Sequence, residues 1–343
     1  MPPKLGARGK NDVKSERFGG ALLAVLVTGI AAVGLSWLST DVFERYGSEL
    51  FLLMPCICGA LAALIHGAWT PATLGNSLGT AALSGVFAMP VFLLLGQEGA
   101  ICLAMALPVM LPLYLIGGLI GHGFGRLCQS GRQRGVTGLL LALLAPLMMG
   151  LSTQREPSAP LRAVVSRVVI NASRAEVWRE VIQFSPIPAA TEWYFRAGIA
   201  HPLRARIEGH GVGAIRYCEF TTGDFVEPIT DWQEGRRLAF EVAEQPDPMI
   251  EISPYGLIHP PHLDWAVRSE RGEFLLTELP DGRCELQGTT WVRTFMGPQL
   301  YWSTLVEACI HRIHLRVLNH IKDQVEPTPA VHRPRETTRN QAG

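Results

Sequence analysis

The stretch VVINASRAEVWREVIQF, residues 168–184, contains the transition on which the fold of the C-terminal half depends. Residues 162–170 alternate in polarity and are rich in valine, a pattern typical of a β-strand. Asn171 or Ser173 follows at the position of a helix N-cap. Apolar side chains then recur on one helical face through about residue 184, at Val177, Trp178, Val181 and Ile182. The stretch therefore predicts a strand followed directly by a helix.

Beyond this stretch, the sequence predicts short strands joined by tight turns and closed by one long helix. A second short helix is predicted at residues 189–200 and a glycine-rich turn at 208–213. Strands are predicted at 214–220, 225–232, 238–242, 272–279 and 284–294. The last helix, 298–325, carries an apolar stripe of Leu305, Cys309, Ile310, Ile313, Val317 and Ile321. A sheet with one apolar face needs a cover, so we expect a curved sheet around this helix, with a cavity between them.

These segments resemble the START-like, or SRPBCC, superfamily, which includes polyketide cyclases, lipid-transfer domains and pollen-allergen-type ligand carriers. The resemblance rests on residues 168–184, on EGHGVGAIRYCEF at 208–220 and on the closing helix, and it covers about residues 160–325. It implies a helix-grip fold with a hydrophobic cavity, but it names no ligand. In the family, the strand after the glycine-rich turn sends alternate residues inward, and Arg216, Cys218 and Phe220 match those positions.

The register of the next hairpin predicts which side chains share the concave face of the sheet. With TTGD as the loop, three pairs are expected: Phe220 with Phe225, Cys218 with Glu227, and Arg216 with Ile229. By the same register argument, the following turn, QEGR, places Phe240 on the same face of the sheet. Arg216 and Glu227 would then lie on a mostly apolar wall, where a buried charge needs a partner. Either they hold the polar head of a ligand, or they pair with each other.

Aromatic residues complete the candidate ligand site. Trp193, Tyr194 and Phe195 are expected near the mouth of the cavity, and Tyr301 and Trp302 open the last helix. Each could contact a ligand, enter a membrane interface or pack in the core. The ligand-binding candidates are therefore Arg216, Cys218, Phe220, Phe225, Glu227, Ile229, Phe240, Trp193, Tyr194 and Trp302.

The sequence motifs assign no catalytic residue, cofactor or metal. No Ser-His-Asp set, phosphate-binding loop or zinc-protease helix can be assembled. His259 and His262 could join His311 and His314 on zinc, but solvated or capping histidines explain these pairs more simply. The seven cysteines have no metal-ligand spacing with histidine and are expected to be small buried hydrophobes.

The N-terminal half has the composition of a membrane domain. Hydrophobic residues make up 48% of the chain and charged residues 17%, and residues 18–125 contain only the charges Asp41, Glu44, Arg45, Glu49 and Glu98. Four stretches, 18–38, 50–69, 77–96 and 101–124, are long enough to span a bilayer, and a shorter fifth, 136–151, contains Pro146. The sequence thus predicts an all-α transmembrane bundle followed by an α+β helix-grip domain.

The expected organisation is a basic cytoplasmic tail (1–17), a transmembrane domain (18–151), a linker (152–160), the helix-grip domain (161–325) and a disordered tail (326–343). Lysine and arginine in the N-terminal tail and near residues 126–134 place both segments in the cytoplasm. With five spans in the plasma (inner) membrane, the C-terminal domain lies on the external, periplasmic side; with four, it is cytoplasmic. Gly117, Gly121 and Gly125 permit close helix packing, either within the bundle or between protomers of a homo-oligomer.

Three functions are compatible with these patterns. A net charge of zero gives no support for a nucleic-acid partner. The leading hypothesis is a membrane-anchored binding protein that holds a lipid or another hydrophobic small molecule in the cavity. The alternatives are a cyclase or dehydratase that uses Arg216 or Glu227 as acid or base, and a non-catalytic domain that docks a partner protein.

Overall fold

A computed structural model describes residues 10–69, 73–128, 130–152 and 159–326, with side chains from residue 18 onward. Three sequence-based predictions fall wholly or mostly outside these residues. They concern the basic tail, the linker, of which 153–158 lie outside, and the disordered tail beyond residue 326.

Five helices make up the N-terminal, helical half. They are α1 (Lys10–Trp37, continued by a π-helical turn Leu38–Val42), α2 (Met54–Trp69, preceded by a π-helical turn Glu49–Leu53), α3 (Leu74–Leu94), α4 (Ala100–Leu127) and α5 (Gly131–Ser152). All five segments are long and apolar enough to cross a membrane. The fifth helix, α5, begins at Gly131 and is therefore longer than the apolar stretch 136–151 from which it was predicted.

Helix α2 lies at the centre of the helical half, and its apolar surface is buried on most sides. Helix α5 instead lies at the edge, where Leu139, Leu140, Leu143 and Leu147 are exposed. A row of exposed leucines on a long apolar helix is the surface expected where lipid is the solvent.

The regularly spaced glycines of α4 lie against α2 of the same chain. A Cβ atom on Gly117 would lie 1.9 Å from the carbonyl oxygen of Cys56, and one on Gly121 would lie 2.3 Å from that of Ala60. Glycine therefore lets the two backbones approach closely, as small residues do in membrane helix pairs. The spacing serves packing within this chain.

The C-terminal domain contains nine strands and three helices within the described residues. They are β1 (Arg162–Ile170), α6 (Arg174–Ile182), α7 (Trp193–Ala197), β2 (Pro202–Glu208), β3 (Ile215–Phe220), β4 (Gly223–Gln233), β5 (Arg237–Glu241), β6 (Glu251–Ser253), β7 (Gly256–Ile258), β8 (Val267–Glu278), β9 (Cys284–Thr294) and α8 (Gln299–Val325). Seven strands form one antiparallel sheet in the order β1-β9-β8-β5-β4-β3-β2, and β6 pairs with β7 alone. A short 3₁₀ helix, Pro261–Asp264, precedes β8.

The sheet curls around α8, as the helix-grip expectation requires. Irregular pairing in β2, β4 and β8 bends the strands. Ser173 caps α6 through a capping box with Glu176. The main core lies between the concave face and α8, and it contains Leu238, Leu286, Leu318 and Ile321 among its fully buried side chains.

Three local predictions were wrong. The second helix covers only Trp193–Ala197, because Gly198 adopts a φ of 129° that ends it. Strand β2 was not predicted; it begins at a proline and lies at the sheet edge, where a missing N–H is tolerated. The β6–β7 hairpin has no counterpart among the predicted strands, because strands of three residues are too short to show alternation.

The helical half and the C-terminal domain are joined by specific contacts. The Glu251 carboxylate accepts backbone hydrogen bonds from Ile101 (3.2 Å) and Cys102 (2.8 Å) at the start of α4. At the start of α8, the Tyr301 hydroxyl donates to the Met105 carbonyl, and the Trp302 ring lies 4.9 Å from that of Phe51. The α8 helix is therefore held at its N-terminus by the helical half and further along by the sheet.

We expect Gly121→Ala to destabilise the helical half, because the new methyl group would overlap the α2 backbone at Ala60. Overpacking of this kind destabilises by roughly 1–3 kcal/mol. Thermal unfolding of the detergent-solubilised protein measures the effect. Gly123→Ala on the same helix is the control, since no heavy atom lies within 4 Å of its Cβ position. Equal unfolding temperatures for the two variants would contradict the packing role.

Candidate functional site

The β3–β4 hairpin differs from its predicted register by two residues. Arg216 pairs with Glu227, Cys218 with Phe225, and Phe220 with Gly223. The predicted loop TTGD is thus too long: the turn consists of Thr221 and Thr222, and Gly223 already belongs to β4 with a φ of 140°. The predicted pairs were wrong because glycine at this position permits the chain to reverse earlier.

The predicted face is nevertheless the inward one. A slip of two residues keeps every side chain on its own side, because side chains alternate along a strand with a period of two. Arg216, Cys218, Glu227 and Ile229 are accordingly buried, while Tyr217 and Val226 between them are less so.

Arg216 and Glu227 form a buried ion pair on this face. Their exposed fractions are 3% and 6%, and a guanidinium nitrogen of Arg216 donates to a Glu227 carboxylate oxygen. Burial by itself would lower the pKa of Arg216, but the charge and the hydrogen bond of Glu227, together with Cys218, outweigh it, so that this pKa lies above the usual value. Three aromatic rings surround the guanidinium carbon, with centroids at 5.0 Å (Phe240), 5.5 Å (Phe274) and 5.9 Å (Phe184).

A cavity of about 120 Å³, here called the grip cavity, lies between this face and α8. Its wall is mainly aromatic and aliphatic, from Phe220, Phe225, Phe240, Phe274, Ile310, Ile313 and Val317. Its polar residues are the Arg216–Glu227 pair, Ser269, Arg271, Glu273, Thr289, Thr290 and His314. An apolar wall with a few placed polar groups is the usual construction of a small-molecule site.

His314, on the wall of the grip cavity, has a neutral imidazole ring. Its Nε2 lies 2.8 Å from the Thr290 hydroxyl and its Nδ1 3.1 Å from the Ser166 hydroxyl. Burial, together with the neighbouring His311, lowers the pKa of His314 to about 4. The described structure thus gives both His311 and His314 hydroxyl partners. It forms no metal-binding group of this pair with His259 and His262.

Two further cavities continue from the grip cavity toward the helical half. A middle cavity of about 110 Å³ shares Phe220, Phe225 and Ile313 with it. A junction cavity of about 60 Å³ shares Met105 and Met249 with the middle one and is lined by residues of both halves. Helix α8 contributes to all three, from Val317 in the grip cavity to Trp302 in the junction cavity.

The ten candidate residues are distributed over several places. Six line the grip cavity: Arg216, Cys218, Phe220, Phe225, Glu227 and Phe240. Ile229 is buried in the adjoining core, and Trp302 lines the junction cavity instead. Their role in ligand binding stays a prediction. The apolar α8 side chains of the grip cavity belong to the predicted stripe, and His314 beside them does not. No local sequence pattern predicted Met105 or Met249 as wall residues.

Trp193 and Tyr194 are not among the residues that line the three cavities, and their role at the mouth of the grip cavity stays a prediction. Trp193 is 78% exposed, and Tyr194 lies beneath the guanidinium of Arg312 at 5.5 Å. Phe195, in the next position, contacts Arg316 of the same helix at 5.7 Å. Helix α7 thus packs on the side of α8 that carries these arginines.

No protein-family model matches this chain, and no curated protein matches it. Solved structures of Bet v1-type, SRPBCC-like proteins match its C-terminal half. Norcoclaurine synthase from Thalictrum flavum is 13% identical, with a TM-score of 0.33, and the match covers 51% of this chain and 99% of that one. The aromatase/cyclase from Streptomyces sp. R1128 is 16% identical, with a TM-score of 0.30, covering 48% and 94%.

A further solved structure, of a protein from Nitrosospira multiformis, is 15% identical, with a TM-score of 0.30, and covers 48% of this chain and 97% of that one. With scores of this size, the description of the C-terminal domain as a helix-grip fold rests on its own strand order and on α8. The matches carry no statement about a ligand or a reaction.

Breaking the buried ion pair is expected to destabilise the C-terminal domain strongly. Arg216→Met leaves Glu227 as an uncompensated buried charge, which costs about 3–5 kcal/mol, whereas Arg216→Met combined with Glu227→Met removes both charges and is much milder. Chemical unfolding followed by tryptophan fluorescence measures both.

The matched control for this pair is Arg283→Met, which breaks the exposed Arg283–Asp281 pair of a surface turn. It should leave the stability close to that of the wild type, because solvent screens an exposed pair. A double variant at Arg216 and Glu227 that is as unstable as the single one would mean that packing, rather than the stranded charge, is responsible.

Proposed function

We propose that this protein is a membrane-anchored binding protein that holds a hydrophobic small molecule, such as a lipid, in the grip cavity. The observation that carries the proposal is the row of three apolar cavities along α8, which extends from the curled sheet to the helical half. The expected ligand is elongated and mostly apolar, because the walls of the row are mostly apolar and its cavities are individually small.

The polar groups of the grip cavity suit a ligand with an oxygen-bearing head. The Nε atom of Arg216 is buried and has no hydrogen-bond partner among the described residues. A buried donor without a partner is unfavourable, so a carbonyl, hydroxyl or carboxylate oxygen delivered by a ligand would be stabilised there. Thr289 and Thr290 on the same wall offer hydroxyl groups that can donate or accept.

The helical half would hold the domain at the bilayer and open the row of cavities to it. Met105 of α4 lines both the middle and the junction cavity, so an apolar molecule could pass between the bundle and the sheet along α8 without crossing water. Five spans together with the distribution of lysine and arginine support a cytoplasmic N-terminus and an external C-terminal domain.

The enzyme alternative has less support. Its candidate acid and base were Arg216 and Glu227, and a carboxylate already bonded to a guanidinium is a poor base. Two of the similar structures are a synthase and an aromatase/cyclase, and the shared fold alone does not carry their chemistry to this chain.

Native mass spectrometry of the full chain, released from lipid nanodiscs of known composition, tests the binding proposal. We expect a bound lipid with the wild-type chain and its loss with Ile313→Trp, because the larger ring would fill the wall shared by the grip and middle cavities. The control is Asn319→Trp, an exposed position on the same helix. Equal lipid occupancy in both variants, or none in the wild type, would contradict the proposal.

A reporter fused after residue 326 tests the orientation. Five spans predict that alkaline phosphatase is active there and that a cytoplasmic fluorescent reporter is dark. The same fusion made after residue 128, at the end of α4, should give the opposite result. If the first fusion reports the cytoplasm, the number of spans must be even and the accessible ligands are those of the cytoplasmic leaflet.

A further inference from the structure

Three side chains of types that commonly bind metal ions come from distant parts of the chain and meet at the junction cavity. Glu98 lies in the turn between α3 and α4, Cys102 in the first turn of α4, and His262 in the 3₁₀ helix before β8. Each can offer one donor atom such that all three atoms lie within 4.8 Å of one another. The Cys102 Sγ atom is 3.1 Å from His262 Nε2, and His262 Nδ1 is 3.7 Å from Glu98 Oε2.

Two of these side chains are buried with an unused donor or acceptor. Glu98 is 9% exposed and His262 is 4% exposed. The Glu98 Oε2 atom and the His262 Nδ1 atom have no hydrogen-bond partner among the described residues. The other carboxylate oxygen, Oε1, accepts a hydrogen bond from the Tyr46 hydroxyl. Buried polar atoms are almost always satisfied, so the free ones point to a group that would complete the site.

The acidic side chains at the junction cavity have no basic partner. Glu251, 1% exposed, lies beside Cys102 and is bonded there to backbone N–H groups of α4. Within the part of the chain that the structure describes, no lysine or arginine forms an ion pair with Glu98 or Glu251. Buried acids without a cation are costly, and a divalent metal ion would supply the missing charge.

The donor atoms lie closer together than in a catalytic thiol set. In a nucleophile–histidine–acid set, the nucleophile and the acid contact different ring nitrogens of the histidine and lie apart from each other. Cys102 and Glu98 also lie at different ring nitrogens of His262, but a carboxylate oxygen of Glu98 is within 4.8 Å of the Cys102 sulfur as well, where its charge would oppose a thiolate. One donor atom from each of the three residues is therefore close enough to the others to share one ion. A tetrahedral zinc ion holds N, O and S ligands roughly 3.3–3.6 Å apart, which follows from its bond lengths.

We propose that Glu98, Cys102 and His262 bind a zinc ion, with Tyr46 orienting Glu98 and the fourth coordination position open to the junction cavity. One thiolate, one imidazole and one carboxylate suit zinc, and three protein ligands with an open position are typical of zinc sites that bind water or a substrate oxygen. The open position faces a cavity whose walls are mostly apolar. The class of ligand is therefore an oxygen-bearing apolar molecule at the end of the row.

A second cluster, Asp247, His259 and Asp264, differs from this one because its histidine has no free ring nitrogen. Both ring nitrogens of His259 are already bonded to the two aspartates, at 3.1 Å and 2.9 Å, and the group is exposed.

The test uses the full chain without a histidine tag, purified in detergent, stripped with a chelator and titrated with Zn²⁺ or Co²⁺. We expect one ion per chain and, with Co²⁺, the sulfur-to-cobalt charge-transfer band that requires Cys102. Cys102→Ser, His262→Gln and Glu98→Gln should each abolish this site, whereas Tyr46→Phe should weaken binding by roughly 10–100-fold. His259→Gln, in the exposed cluster, is the matched control and should bind as the wild type does.

Alkylation of the wild-type chain provides a readout that does not depend on how the variants fold. Zinc should protect Cys102 from iodoacetamide, with the modified peptide identified by mass spectrometry, and a chelator should restore the reaction. Unchanged alkylation of Cys102 with and without zinc, a cobalt complex without the sulfur band, or loss of binding in His259→Gln would overturn the proposal. None of these results depends on whether the grip cavity holds a lipid.

Discussion

The apolar stripe of α8 is the constraint on which the rest of the structure depends. This helix is 27 residues long, and no single layer of the protein covers it. The curled sheet buries Val317, Leu318 and Ile321, and the helical half packs around Trp302 at the other end. Because one rigid helix is buried in both places, the two halves cannot separate without exposing its apolar surface to water.

Imperfect filling of the space along α8 creates the row of cavities. The side chains of a twisted sheet diverge from a straight helix, and the aromatic residues of the β3–β4 hairpin fill only part of the gap. The buried Arg216–Glu227 pair lies in this gap, where it adds polarity and shape but little net stability. The proposed binding site and the incomplete packing thus lie in the same place, as is usual for binding folds.

The junction shows how residues without local significance become a site. Cys102 reads as one more small apolar residue of a long helix, and Glu98 as one charge in a turn. Glu251 and His262 belong to a segment without clear strand or helix pattern. The contact of Glu251 with the start of α4 draws this segment onto the helical half, and His262 is thereby placed beside Cys102. The resulting geometry depends on tertiary contacts across more than 150 residues.

The sequence by itself determined the five apolar helices, the bounds of β1 and β9, the long last helix and the inward face of β3 and β4, because these follow from hydrophobic periodicity within one element. Only the tertiary structure decided the hairpin register, the packing of α7 against the arginines of α8, and the meeting of Glu98, Cys102 and His262. Hydrophobic periodicity shows which side of a helix or strand is buried. It does not show which distant residues that side contacts, and a functional site is made of contacts between distant residues.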